Sequence, residues 1–246
     1  MTLCPCDFML LKDVSFDDPL KNLVYDDVLL RLAEEGAAGE VLRFWESPVH
    51  FVVLGLAGNV DEDVDLEAVK RDRIAVLRRS SGGGTVLQGP GSLNYSLILS
   101  KEIHPEVADL KKSYAYILNN ICRALESLGI SAVFLPISDI ALTQDRKKIS
   151  GNAQKRGKKY ILHHGTILYN LDIPLASRYL RMPKNVPEYR EGRSHAEFIA
   201  NISVPCSDIK SAIRQVFGAK EMEQISDAEQ QLLDQLIRGS EKIISV

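Results

Sequence analysis

The chain has 246 residues, of which 45% are hydrophobic and 26% are charged, and its formal net charge is −3 at pH 7. This apolar fraction excludes an intrinsically disordered chain, and the near-neutral charge gives no general attraction to DNA or to acidic membranes. Four cysteines are too few for a disulfide-stabilised scaffold of this length. Composition therefore indicates a soluble globular protein of a reducing compartment and leaves its chemistry open.

The first third of the chain predicts strands around one helix. Residues 8–14 are typical of a short strand, and the apolar spacing of residues 19–35 predicts a helix that ends at Gly36. Two short β-type runs, Val41–Trp45 and 50–54, are separated by Ser47 and Pro48, so we expect them to form a hairpin. The acidic residues 61–67 indicate a solvated loop and a helix start.

The rest of the chain predicts more strands and three helices. An apolar stripe predicts a helix over residues 107–128, and the capping box of Ser226 and Glu229 opens another over 227–237. The third helix is expected over 207–217, and strands over 74–77, 93–99, 132–135, 137–142, 147–153 and 160–169. We expect a single α+β domain over 1–246, with a core at about 19–205 and a C-terminal helical segment at about 206–246.

Residues 78–96 carry the strongest indication of a binding site. Two arginines and two serines precede Gly82, Gly83 and Gly84, between two apolar strands. Consecutive glycines cost backbone entropy, but they let exposed peptide N–H groups approach phosphate or carboxylate oxygens closely. No Gly-Lys-Ser/Thr sequence follows, and a strand rather than a helix comes next, which excludes the two common nucleotide-binding patterns. We expect an anion-binding loop; a mobile hairpin turn is the alternative.

A basic segment, residues 145–159, contains seven lysines or arginines and one aspartate. Most of these charges are expected to be solvated, although the segment could also dock an acidic protein surface. Lys148 differs because apolar and small residues flank it, and an ammonium held there can stabilise charge that develops on an acyl or phosphate oxygen. His163 and His164 lie in an apolar strand without a suitably spaced metal ligand, so buried or supporting histidines are expected.

Five blocks in this order resemble the lipoate–protein ligase A family, within the biotin/lipoate protein ligase catalytic-domain superfamily. The blocks are Arg79-Ser80-Ser81-Gly82-Gly83-Gly84, Gly91-Ser92-Leu93-Asn94-Tyr95-Ser96, Ser138-Asp139-Ile140, Lys148-Ile149-Ser150-Gly151-Asn152-Ala153-Gln154 and His164-Gly165-Thr166. The resemblance implies a catalytic domain with a mixed, largely antiparallel sheet flanked by helices.

The resemblance also implies an activity. Family members condense lipoate with ATP to lipoyl-adenylate and pyrophosphate, and then transfer the acyl group to a lysine of a lipoyl domain. By this likeness Lys148 would contact the acyl carboxyl oxygen and the α-phosphate, and Asp139 would lie near the phosphate or its Mg²⁺. The other implied substrate contacts are Arg79, Ser81, Gly82, Gly83, Gly84, Gln88, Asn94, Ser150, Gly151, Ala153, His164, Gly165 and Thr166. An apolar slot for the acyl chain would be lined by Val86, Leu93, Ile149 and Leu162.

The implied acceptor is a lipoyl-domain protein of the 2-oxoacid dehydrogenase E2 or glycine cleavage H type. Two departures from the family pattern matter. Gln88 stands where family members commonly have a titratable histidine, which affects the contacts at the acyl end. The residues after Asp172 are too few for the accessory C-terminal domain of longer ligases, so we expect no large accessory domain, and a separate accessory subunit is an alternative.

Other activities stay open at this point. Related octanoyltransferases transfer the acyl group from a carrier protein through a thiolate and without ATP. Of the cysteines, Cys122 is expected in the core, Cys4 and Cys6 are expected to be incidental, and Cys206 precedes a helix, where a lowered pKa could make it a nucleophile. Biotin attachment and a non-catalytic module that binds a lipoyl ligand are further alternatives.

The sequence gives no indication of export. Asp7, Lys12 and Asp13 interrupt the N-terminal segment, and the most apolar run, residues 51–57, is far shorter than the ~20 residues that span a bilayer. No aromatic residue interleaves the charges of residues 145–159, which disfavours binding of nucleic acid. We expect a cytoplasmic protein with neither a membrane nor a nucleic acid as partner.

Overall fold

The computed structural model describes residues 8–183, 186–222, 224–239 and 244. The strands are β1 (Leu10–Asp13), β2 (Val41–Trp45), β3 (Phe51–Leu54), β4 (Ala75–Arg78), β5 (Val86–Gln88), β6 (Ser92–Ser100), β7 (Ala132–Leu135), β8 (Asp139–Leu142), β9 (Lys148–Arg156), β10 (Tyr160–Leu168) and β11 (Lys220–Met222). The helices are α1 (Pro19–Glu34), α2 (Val60–Asp63), α3 (Leu66–Asp72), α4 (Leu110–Glu126), α5 (Ile173–Tyr179), α6 (His195–Phe198), α7 (Cys206–Phe217) and α8 (Asp227–Arg238), with 3₁₀ turns at Pro105–Ala108 and Glu188–Arg190. None of the described helices is long and apolar enough to cross a membrane.

In the described part of the chain, eight strands form one sheet in the order β11-β1-β2-β6-β10-β9-β8-β7. Strand β1 pairs in parallel with β2 and β11, and every other pairing in this sheet is antiparallel. Helices pack on both faces, so the predicted α+β class with a mixed, largely antiparallel sheet flanked by helices is confirmed.

Alternate residues of the central strands serve two different cores, because successive side chains of a strand point to opposite faces. Leu42 and Phe44 of β2 pack with Ile117 of α4 on one face. Val41 and Trp45 pack with residues of α1 and α8 on the other. The large sheet is therefore covered on both faces, so any cavity has to lie between this sheet and another layer of structure.

A second, three-stranded sheet of order β4-β3-β5 supplies that layer. The predicted hairpin of β2 and β3 is wrong: β2 pairs with β1 and β6, whereas β3 pairs with β4 in parallel and with β5 antiparallel. The turn at Ser47 and Pro48 carries the chain from one sheet to the other. Every residue of both strands is buried, so tertiary contacts rather than the local turn decide their partners.

A fully buried guanidinium joins α1 to the large sheet. Arg43 of β2 donates to Asp26 Oδ1 at 2.6 Å, to the Asn22 carbonyl oxygen at 2.8 Å and to the Val14 carbonyl oxygen from two nitrogens at 3.1 and 3.2 Å. Asp26 Oδ2 accepts from Ser96 Oγ of β6 at 2.7 Å. The helix is thus tied by hydrogen bonds to two adjacent strands.

Removing the carboxylate of this pair should destabilise the fold strongly. In Asp26→Ala the guanidinium of Arg43 stays buried without its counter-charge, and we expect a loss of about 3–5 kcal/mol in the free energy of unfolding, measured by urea titration. The control is Glu35→Ala, which breaks the exposed Arg31–Glu35 pair and should change stability by no more than about 0.5 kcal/mol. A loss below about 1 kcal/mol in Asp26→Ala would contradict the role given to the pair.

Candidate active site

A cavity of about 490 Å³ lies between the two sheets. Its walls come from β6, β9 and β10 of the large sheet, from β3 and β5 of the small sheet, and from residues within 180–183 and 186–199. Most of the predicted site residues line it: Arg79, Gly83, Gly84, Gln88, Asn94, Asp139, Lys148, Gly151, Ala153, His164, Gly165 and Thr166. Residues up to 87 positions apart in the chain therefore meet in one place.

The charged centre of the cavity is an ion pair. Lys148 Nζ lies 2.7 Å from Asp139 Oδ1, and their side chains are 25% and 12% exposed. The second carboxylate oxygen, Oδ2, accepts a hydrogen bond from the Tyr189 hydroxyl at 2.6 Å. Burial and the Asp139 charge raise the pKa of Tyr189, so its hydroxyl remains protonated at neutral pH. The amine of Lys148 is thus held at the cavity wall by a side chain whose two oxygens are both engaged.

The glycine loop, residues 80–85, leaves the N–H groups of its three glycines without an acceptor in the described part of the chain, whereas two of its carbonyl oxygens accept hydrogen bonds from Arg79. Arg79 is buried and donates to the Gly82 carbonyl oxygen at 2.7 and 3.1 Å and to the Gly84 carbonyl oxygen at 2.8 Å. Burial lowers the pKa of Arg79 to about 10, which leaves it charged at neutral pH. No hydrogen bond within the described residues engages the N–H groups of Gly82, Gly83 and Gly84. This arrangement suits an anionic ligand.

Gln88 completes a closed ring of side-chain hydrogen bonds across the two sheets. Its Nε2 donates to Asn94 Oδ1 and to Thr166 Oγ1, both at 2.9 Å, and its Oε1 accepts from Asn94 Nδ2 at 3.0 Å. Thr166 Oγ1 also donates to Asn94 Oδ1 at 2.9 Å. The glutamine therefore fixes β5 of the small sheet to β6 and β10 of the large one.

Three predicted site residues lie outside the cavity wall. Ser81 is buried behind the loop, where its Oγ lies 2.6 Å from His164 Nε2, and Gly82 is exposed. Ser150 is fully buried and accepts from Asn152 Nδ2 at 3.1 Å. Of the residues expected to line an acyl slot, Val86 does so, whereas Leu93, Ile149 and Leu162 pack in the cores. Leu93 points away from the cavity because its neighbour Asn94 points into it. Ile149 lies at the register shift between β8 and β9.

The two histidines of β10 have different environments. His164 faces the cavity, whereas His163 is fully buried on the other face between Tyr95 and Tyr114. Burial lowers the pKa of His163 to about 3, so it is neutral at physiological pH. His163 belongs to the core, and His164 supports the loop through Ser81.

The described cysteines are remote from this chemistry. Neither Cys122 nor Cys206 lines the cavity, and both pack against the core beneath α4 and α7. Burial raises the pKa of Cys122 to about 11 and also raises the pKa of Cys206, which contradicts the lowered pKa considered for Cys206. Cys4 and Cys6 lie outside the described residues.

The described residues do not form a metal site by themselves. Both oxygens of Asp139 already accept hydrogen bonds or pair with Lys148, and the described residues contain no group of three or more His, Cys, Asp or Glu side chains that could hold a metal ion. One carboxylate can join substrate phosphates in holding Mg²⁺, so the contact of Asp139 with phosphate-bound Mg²⁺ stays a prediction.

The basic segment 145–159 is largely engaged within the molecule. Lys155 Nζ pairs with Asp27 at 2.9 Å, and Arg156 donates to the Val107 carbonyl oxygen at 2.6 Å and to the Ala108 carbonyl oxygen at 2.7 Å. These two residues are therefore not free to dock a partner.

Tyr189 and Asp27 are not among the residues that the sequence predicts for the site. Tyr189 reaches Asp139 from fifty residues downstream, and no motif surrounds it. Asp27 could have been found, because Asp26 and Asp27 are consecutive acids inside an otherwise apolar stretch of a helix.

The fold is shared with solved lipoate–protein ligases. The bi-partite lipoate protein ligase of Thermoplasma acidophilum, solved in work that also describes its E2 lipoyl domain, superposes with a TM-score of 0.80 at 23% identity, covering 95% of this chain and 94% of that one. The family model described as "Lipoyl protein ligase A/B catalytic domain" matches residues 18–218, and the chain belongs to this family.

Curated relatives include both ligases and transferases. A probable lipoate-protein ligase A of Mycoplasma pneumoniae is 30% identical over 166 residues, which are 68% of this chain and 47% of that protein. The octanoyltransferase LipM of Geobacillus kaustophilus is 32% identical over 195 residues, 70% of this chain and 69% of that protein. The chain spans about half the length of the ligases that it matches.

Two glycines of the site should respond differently to an added methyl group. A Cβ at Gly165 would overlap Asn152 Oδ1 and lie 2.7 Å from the Tyr95 hydroxyl, whereas a Cβ at Gly84 would meet nothing within 4 Å. We expect Gly165→Ala to lower the free energy of unfolding by about 1–3 kcal/mol through overpacking. Gly84→Ala is the matched control and should leave the urea midpoint nearly unchanged. Equal midpoints for the two variants would contradict the tight packing at Gly165.

Proposed function

We propose that this protein attaches lipoate, or octanoate, to a lysine of a lipoyl-domain protein through an acyl-adenylate made from ATP. The observation that carries the proposal is the meeting, in one cavity, of the Lys148–Asp139 pair with a loop whose three glycine N–H groups have no acceptor among the described residues. An acyl-adenylate has a phosphate anion next to a polarised carbonyl, and such a cavity supplies donors for both.

The first half-reaction joins the acid to the nucleotide. A carboxylate oxygen of lipoate attacks the α-phosphorus of ATP, the bond from that phosphorus to the bridging oxygen breaks, and pyrophosphate leaves. Lys148 offsets the charge on the acyl and α-phosphate oxygens, and the N–H groups of the loop bind the phosphate oxygens. Asp139 and Tyr189 keep the ammonium oriented. Mg²⁺ accompanies ATP as its counter-ion, and no step is assigned to a protein-bound metal.

The second half-reaction transfers the acyl group. The neutral amine of the acceptor lysine attacks the acyl carbonyl carbon, and a C–N bond forms. The C–O bond to phosphate breaks, AMP leaves with the electron pair, and the nitrogen releases one proton to solvent. The acceptor is a lipoyl domain of the E2 or glycine cleavage H type. Support comes from family membership and from the fold shared with a ligase studied together with its E2 lipoyl domain.

The second candidate is transfer of an octanoyl or lipoyl group from a carrier protein without ATP. The likeness to the octanoyltransferase LipM favours it. The position of Cys122 and Cys206 away from the cavity disfavours a thioester intermediate on either residue.

An assay of ATP dependence separates the two candidates. The purified chain is incubated with a lipoyl domain and either lipoate, ATP and Mg²⁺ or octanoyl-carrier protein, and mass spectrometry of the acceptor and pyrophosphate release are followed. We expect acylation with pyrophosphate release only in the first mixture, and a variant with all four cysteines changed to serine should retain it. Acylation from octanoyl-carrier protein without ATP would overturn the ligase proposal. Activity that requires an added subunit would support the accessory-subunit alternative.

Lys148→Ala should abolish catalysis without unfolding the protein. We expect a loss of at least about 100-fold in the rate of pyrophosphate release, since one preorganised charge at a developing oxyanion contributes on the order of 10²–10³. The adjacent Lys147→Ala is the matched control, because Lys147 is 40% exposed and its ion pair with Asp145 is long, at 4.0 Å. Turnover near the wild-type rate in Lys148→Ala, with an unchanged melting temperature, would refute the role of this lysine.

A further inference from the structure

Asp27, which follows Asp26 on α1, contacts the glycine loop from outside the cavity. Asp27 lies on α1, and its Oδ1 accepts hydrogen bonds from Ser80 Oγ and from Lys155 Nζ, the latter at 2.9 Å. The side chains of Asp27 and Lys155 are 12% and 39% exposed. One carboxylate oxygen therefore connects three elements: the helix, the first serine of the loop, and β9.

Side-chain hydrogen bonds hold the loop on both sides of its glycines. Ser80 is bonded to Asp27, and Ser81 Oγ lies 2.6 Å from His164 Nε2 of β10. On the far side, Thr85 Oγ1 donates to Asp63 Oδ2 at 2.7 Å. The three glycines between these anchors have no side chain of their own, so the anchors and the bonds from Arg79 to the Gly82 and Gly84 carbonyls together set the position of their N–H groups.

We propose that Asp27 is a positioning residue for anion binding: it holds Ser80, and thereby the glycine loop, against α1, and Lys155 neutralises its charge so that the loop remains attractive to a phosphate. The proposal rests on the proposed function for the identity of the anion, the phosphates of ATP. In this proposal neither Asp27 nor Lys155 contacts the reacting atoms.

If Asp27 only held Ser80 in place, the positive charge of Lys155 would not be required. Ser80 requires only an acceptor oxygen, which an amide would also supply. A carboxylate beside an anion-binding loop repels its ligand, however, unless a cation compensates it. The same contacts therefore predict that removing Lys155 alone harms anion binding more than removing both charges together.

Limited digestion with trypsin tests the anchoring in the absence of any ligand. Arg79 is buried, so cleavage of the Arg79–Ser80 bond requires local opening of the loop. We expect Asp27→Ala and Ser80→Ala to accelerate this cut about fivefold relative to the cut after the exposed Arg71, the factor that corresponds to one lost hydrogen bond. Glu35→Gln, which removes a solvent-exposed carboxylate from the end of the same helix, is the matched control and should cut like the wild type.

Ser80→Ala keeps the test valid if Asp27→Ala does not fold, because it deletes one hydroxyl from the loop. An unchanged cleavage rate at Arg79–Ser80 in folded Ser80→Ala overturns the anchoring.

Isothermal titration with ATP tests the charge compensation. We expect Lys155→Met to weaken ATP binding about fivefold, Asp27→Asn to bind within about twofold of the wild type, and the double variant Asp27→Asn with Lys155→Met to recover to the level of Asp27→Asn. A double variant that binds no better than Lys155→Met overturns the compensation. If the wild-type chain binds no ATP, the adenylation proposal fails and so does the role of Lys155 for that ligand, while the digestion, which contains no ligand, still decides whether Asp27 anchors the loop.

Discussion

The buried guanidinium of Arg43 is the constraint on which the arrangement of layers depends. A charge with no solvent contact has to find all of its acceptors inside the protein, and here they come from β1's end and from α1. That requirement fixes the height and rotation of α1 above the sheet. Because Asp27 follows Asp26 directly, the same contacts determine where the second carboxylate meets the loop. The helix α1 thus packs in one of the cores and also contacts the loop of the candidate site.

Much of the secondary structure could be predicted from local patterns. The stripe of α4 and the capping box of α8 are both observed, because helix periodicity and capping are properties of nearby residues. The pairing of β2 with β6 instead of β3 could not be predicted, since both strands are buried throughout and their partners lie far along the chain. Short elements such as β5 and α6 have too few residues for a periodic signal.

The site was predictable to the extent that it lies in contiguous motifs. The glycine loop and Lys148 are recognisable by residue type and spacing, and the structure brings them into one cavity. The direction in which each side chain points was harder to predict. Ser150 and Leu93 were expected to contact the substrate, and both are buried outside the cavity wall. Contacts that arise only from folding, such as the Tyr189 hydroxyl on Asp139, leave no trace in the sequence around either residue.

The burial of the Arg79 guanidinium affects how the glycine loop would respond to ionic strength. Its guanidinium lies behind the peptide groups of Gly82 and Gly84 and orients their carbonyls away from the N–H side. A cation buried in this way is screened by salt far less than a surface lysine would be. The proposed attraction of the loop for an anion would therefore come from a buried cation and oriented peptide dipoles, and it should persist at salt concentrations that dissociate complexes formed through exposed charges.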